Sequence, residues 1–199
     1  MKFYKFISVI LHPIVIPTIG ILLFLLLNPS PISIQRQYIL ISIVFFATYI
    51  IPLTSLIVLK LLGYVESYQV HSIKERKIPL FIMLVIFSIL GKLFVNISDF
   101  RELGLLFYGT VAALIVVYLL FVLKIKTSLH ILSMSSAIAF VLIFTSANSV
   151  SALPIIAILF VLTGILASAR LHLKAHTPLE IYLGFFLGFC SQFGLYYLL

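Results

Sequence analysis

The uncharged runs of this chain match the thickness of a bilayer. Residues 6–27, 104–123 and 128–147 contain no Asp, Glu, Lys or Arg, and a helix needs about 20 apolar residues to cross the hydrocarbon core. Only 9% of the residues are charged and 63% are hydrophobic. A soluble domain carries about a quarter charged residues, so a soluble single-core protein is excluded, and disorder and coiled coil with it. A membrane barrel would need polar and apolar residues to alternate, whereas these runs are apolar on every side. The fold expected is all-α: a polytopic membrane helix bundle forming a single transmembrane domain over residues 1–199, with about seven spanning helices. The lone cysteine, Cys190, rules out a disulfide framework or a multi-cysteine metal site and reads as inert.

The expected spans are 6–27, 38–62, 78–97, 104–123, 128–147, 154–169 and 178–199. The first run is too long for a signal-peptide core and shows no small-residue cleavage site. Pro13 and Pro17 should kink it, and His12 beside them reads as a buried, hydrogen-bonded residue at that kink. No long linker, repeat or low-complexity segment interrupts the series. If the helices alternate in direction, Lys2, Lys5, Lys60, Lys74, Arg76, Lys77, Lys124, Lys126, Arg170 and Lys174 share one side. Arg36, Lys92 and Arg101 fall on the other. The positive-inside rule would put the first group in the cytoplasm, but without its candidate phosphate ligands the two sides are nearly balanced. Three polar loops sharing one face is the firm result. The formal net charge of +8 suits anionic lipid or a phosphorylated substrate, not nucleic acid, in a chain this apolar.

Those three loops hold nearly every side chain able to do chemistry. They are His71 to Pro79, Lys124 to His130, and Ser168 to Glu180. Ionisable residues at the membrane boundary are functional candidates by default. Here they amount to a surplus of cations, several histidines and one well-placed carboxylate, a set suited to a tetrahedral oxyanion. Fixed cations would neutralise phosphoryl oxygens, one imidazole would attack phosphorus and another would protonate the leaving oxygen. The second and third loops lead into helices, whose N-terminal N–H groups favour an anion.

Arg170, then His176 six positions on and Glu180 four further, is a distinctive spacing. It resembles the third motif of the type-2 phosphatidic acid phosphatase superfamily, Ser-Arg-x5-His-x3-Asp. That superfamily includes lipid phosphate phosphatases and vanadium haloperoxidases. Ser128-Leu129-His130 resembles its second motif, Pro-Ser-Gly-His, at a helix start. The resemblance covers the second to seventh expected helices, so the first would be an addition to a six-helix core. It implies a metal-independent hydrolase without cofactor, acting on a lipid phosphate. His176 would be the nucleophile, forming a phosphohistidine and oriented by Glu180. His130 would be the general acid, and Arg170, helped by Ser128 and its backbone N–H, would bind phosphoryl oxygens. The sequence departs from the pattern at Glu180 (usually Asp), at Ala169 (usually Ser, here displaced to Ser168) and at Leu129 (usually Gly). The first motif, Lys-x6-Arg-Pro, is absent, and Lys74, Arg76 and Lys77 ahead of Pro79, or Lys124 and Lys126, are the candidates to replace it. The implied setting is a bacterial inner membrane.

Simpler roles stand beside these. Thr177-Pro178-Leu179-Glu180 is also a capping box with proline in the first helical turn. His172, His176 and Glu180 are four apart and could hold zinc, although Thr177-Pro178 should break a helix between them. His71 could touch the site but reads better as a solvated loop residue, and Lys74 to Lys77 reads equally as an anchor for anionic headgroups. Ser133, Ser135 and Ser136 would let helices pack closely. Two rival functions remain open: a catalytically weak or inactive lipid-binding scaffold, and a transporter of phosphate or lipid phosphate.

Overall fold

A computed structural model describes residues 2–67 and 72–198. The protein is an all-helical bundle, with no strand among the described residues. Its elements are α1 (Lys2–Ile10), α2 (Ile16–Leu27), α3 (Ile34–Phe45), α4 (Ile51–Leu61), α5 (Ile73–Val95), α6 (Arg101–Val122), α7 (Leu129–Ala147), α8 (Leu153–His172) and α9 (Pro178–Leu198). A π-turn, Phe46–Ile50, joins α3 to α4. It stands just ahead of Pro52, which has no N–H to give Thr48, and the wider turn accommodates that loss.

Among the described residues six segments, not seven, are long and apolar enough to cross a membrane: Ile34–Leu61, Ile73–Val95, Ser98–Val122, Leu129–Ala147, Leu153–His172 and Pro178–Leu198. The expected first span is the one that fails. It is broken at residues 11–15 into α1 and α2. Pro13 disfavours helical geometry at His12, and its own nitrogen cannot bond back to Val9. Two prolines four apart therefore break this helix where one kink was expected.

The other boundaries shift in ways that matter for the site. α5 begins at Ile73, five residues before the expected start, because Ser72 and Glu75 form a reciprocal capping box: the Glu75 N–H donates to Ser72 Oγ at 3.2 Å and the Ser72 N–H to Glu75 Oε2 at 3.1 Å. Lys74, Arg76 and Lys77 thus sit in the first turns of a helix, not in a loop. α8 runs on to His172, so Arg170 lies in its last turn.

α7 is the hub of the bundle, its residues from Ile131 to Phe144 mostly buried. α2, α6, α8 and α9 all pack against it. The α7–α9 seam is close because α9 offers glycines there: a Cβ on Gly184 would stand 2.6 Å from the Ser128 carbonyl oxygen. Ser136 Oγ donates across the same seam to the Gly188 carbonyl at 3.2 Å, an interhelical bond of the kind small polar residues supply where lipid gives no hydrophobic drive. This seam fixes the starts of α7 and α9 against each other, and the candidate histidines stand at those two starts.

Candidate active site

The third loop is built from two helix ends and one left-handed residue. Lys174 takes φ 51° just past α8, and the Ala175 N–H bonds back to the Arg170 carbonyl at 3.0 Å. Such a turn satisfies the end of one helix and reverses the chain at once. Pro178 then opens α9, with a proline in the first turn where its missing N–H costs nothing. Arg170 and His176 consequently flank one tight corner and can both face inward. The spacing between them is the length of that corner.

The second loop is tied to the third by backbone. The Ser128 N–H donates to the Glu180 carbonyl at 3.1 Å, which holds the start of α7, with His130 in its first turn, against the start of α9. Arg76, in the first turn of α5, completes the ring. His130, His176, Arg170 and Arg76, with His12 from the break between α1 and α2, line one cavity of about 250 Å³. Its inner part is apolar, walled by Leu23, Phe87, Phe107, Ala137, Phe140 and Val141 from α2, α5, α6 and α7. One end is cationic and imidazole-rich and the other is a hydrocarbon slot.

The His176 side chain is only 2% exposed, and its Nδ1 lies 2.6 Å from Glu180 Oε2. A carboxylate can only accept, so Nδ1 carries the hydrogen and Nε2 keeps its lone pair. Burial pushes the His176 pKa down to about 4, the Glu180 hydrogen bond opposing the shift and nearby Arg170 and Arg76 adding to it. The ring is therefore neutral at pH 7, with one nitrogen held and the other available as a nucleophile. His12 is likewise held down to about 4 by burial, and secondarily by Arg170. Its Nδ1 accepts from the Ile14 N–H at 3.4 Å and its ring meets that of His130 edge to face, centroids 5.0 Å apart.

Several candidates from the sequence fall outside the cavity. Lys124 is exposed at the left-handed position after α6, φ 60°, where it ends the helix. Lys126, Lys74 and Lys77 do not line the cavity either, since the α5 helix turns Arg76 inward and its neighbours elsewhere. Ser128 is fully buried and its N–H is spent on Glu180, so that N–H is closed to phosphate. His172 packs against Tyr4, ring centroids 4.1 Å apart, and does not line the cavity, which removes one ligand from the zinc arrangement. Glu180 makes two sets of contacts: its carboxylate accepts from His176 Nδ1–H, and it caps α9 with Thr177, each capping contact 3.4 Å long. His71 lies outside the described residues. The sequence marks His12 only as a residue at a kink and carries no signal at Ser8. Both touch site residues, and no local pattern signals such contacts.

Comparison with family models, with curated proteins and with solved structures gives no match for this chain. Function therefore rests on the residues themselves.

Proposed function

We propose that this protein is a membrane-embedded lipid phosphate phosphatase that works through a phosphohistidine on His176. The supporting observation is the convergence of His176, His130, Arg170 and Arg76, from different helices, at the polar end of a cavity whose other end is apolar. A phosphorylated lipid has this same division between headgroup and tail.

In the proposed reaction the Nε2 lone pair of neutral His176 attacks phosphorus and forms a P–N bond. The P–O bond to the leaving group breaks, and His130, which takes up a proton once the anionic phosphate sits beside it, gives that proton to the leaving oxygen. Arg170 and Arg76 neutralise the charge that gathers on the non-bridging oxygens, where preorganised cations act most strongly. Glu180, already on Nδ1–H, stabilises the positive ring of the phosphohistidine. Water then attacks phosphorus, neutral His130 takes its proton, the P–N bond breaks and phosphate leaves. The scheme uses one nucleophile, one acid–base group and two fixed charges. The motif resemblance at Arg170, His176 and His130 supports the same roles, and Arg76 supplies from α5 a cation in place of the absent first motif.

The slot favours a single hydrocarbon tail or part of one, since about 250 Å³ lies just below the usual range of about 300–1,000 Å³ for ligand pockets. Leu129 also lines the cavity and narrows the approach to phosphorus. The setting proposed is a bacterial inner membrane; of the two bacterial membranes a helical bundle fits the inner one, since spanning proteins of the outer membrane are barrels.

The test is hydrolysis of a panel of phosphatidic acid, phosphatidylglycerophosphate, polyprenyl diphosphate and lipid A phosphate by the purified chain in nanodiscs. Release of phosphate from at least one lipid, lost in the His176→Ala variant and kept with chelator present, is the expected result. A folded wild-type protein that hydrolyses none of them overturns the proposal.

A further inference from the structure

The break in the N-terminal segment sits directly on the site. α1 packs along α8, and Ser8, near its end, is buried at 7% exposure. Both Arg170 and His130 touch this one residue. Arg170 donates from Nη1 to Ser8 Oγ at 2.8 Å. His130 Nε2 lies 3.2 Å from the Ser8 carbonyl oxygen, and since a carbonyl only accepts, that nitrogen carries the hydrogen.

Which guanidinium nitrogen is taken decides what the contact does. A guanidinium can grip an anion with two N–H groups along its end, through Nη1 and Nη2, or along its side, through Nε and Nη2. Ser8 occupies Nη1, the nitrogen that the side edge does not use. The Nε of Arg170 is buried without a hydrogen-bond partner, on a residue that lines the cavity. Buried donors are nearly always paired, so the orphaned Nε–H of this cavity-lining residue marks where an acceptor oxygen belongs. Ser8 bonds to Nη1 and leaves the Nε–H without an acceptor.

We propose that Ser8 is a positioning residue, whose hydroxyl holds Nη1 of Arg170 so that the Nε edge of the guanidinium grips a phosphoryl oxygen. The assignment rests on the phosphatase reading and adds α1 to the site. The N-terminal segment then belongs to the machinery, and is more than an extra helix laid on a six-helix core. The Ser8 carbonyl holds His130 in the same way, through backbone that substitution does not remove. Side-chain changes at Ser8 therefore isolate the effect on Arg170.

The experiment measures orthovanadate affinity and the split between KM and kcat for wild type, Ser8→Ala, Ser8→Thr, Arg170→Lys and the Ser8→Ala/Arg170→Lys double variant, all full-length in nanodiscs. Losing one charge-assisted anchor should weaken vanadate binding about tenfold and raise KM by a similar factor in Ser8→Ala. Ser8→Thr, which keeps the hydroxyl, should recover most of it. In the Arg170→Lys background, where no side edge exists, Ser8→Ala should change affinity less than twofold. Equal losses in both backgrounds, or unchanged or tighter binding in folded Ser8→Ala, would overturn the Ser8 assignment alone. A wild-type protein that binds no vanadate and turns over no lipid phosphate would overturn the phosphatase reading and this assignment with it.

Discussion

Glu180→Gln removes a charge from the site while keeping an acceptor in place. Glu180 Oε2 is 2.6 Å from His176 Nδ1, and a Gln carbonyl can occupy the same position and accept the same hydrogen. The backbone bond from Ser128 to the Glu180 carbonyl does not depend on the side chain, so the α7–α9 contact should survive. The reaction, in contrast, puts a positive charge on the ring. Hydrogen bonds to charged groups exceed neutral ones by about 1–1.5 kcal/mol, which sets a floor near a tenfold loss in kcat. Direct attraction between a carboxylate and a phosphoimidazolium about 4 Å apart is about 4 kcal/mol at an effective dielectric of 20, which sets a ceiling near a thousandfold. Rapid-quench turnover of a lipid phosphate, with melting of the same samples, should show a loss between those bounds and little change in Tm. Activity within twofold of wild type would refute the role given to the carboxylate. A loss accompanied by unfolding would show instead that Glu180 is only a cap.

Three further outcomes follow from the geometry. Arg76→Ala should weaken orthovanadate binding at least tenfold, whereas Lys124→Ala, at an exposed helix end, should leave it unchanged; the reverse pattern would return the phosphate site to the second loop. His12 and His176 have folded pKa values of about 4 against 6.5 in the unfolded chain, so the folded state binds fewer protons and the stabilisation present above pH 6.5 is lost as pH falls toward 4. For His12 the full loss is about 3 kcal/mol, visible as a falling Tm between pH 6.5 and 4, and a flat Tm in that window would contradict the burial argument. Ala137→Leu should fill the slot, raising KM for long-chain lipid phosphates about tenfold while sparing a short, water-soluble phosphate ester; equal effects on both would show that the tail does not lie there.

The bundle was legible because uncharged length is a property of sequence, and the corner joining Arg170 to His176 was legible because both ends of it are local. The first span misled because its hydrophobicity is continuous while its backbone is not: Pro13 and Pro17 stop a helix that composition alone would carry through. The Ser72–Glu75 capping box stands in the sequence as Ser-x-x-Glu, so the early start of α5 was readable from the cap signal but masked by the charges around it. Lys124 and Lys126 carry suitable charge close to the second motif, but Lys124 adopts positive φ to end a helix and points where the turn sends it. The contact of Arg170 with Ser8 was not legible at all. The two residues are 162 apart in sequence, and nothing in either neighbourhood names the other.

The central claim is that phosphorus becomes bonded to His176. Wild-type protein mixed with lipid labelled in its phosphate, quenched in alkali within milliseconds and digested should yield labelled peptide whose phosphate is acid-labile and maps to His176. The label should vanish in His176→Ala and persist longer when His130 is replaced. Turnover by folded wild-type protein with no label on His176, or label undiminished in His176→Ala, would contradict it.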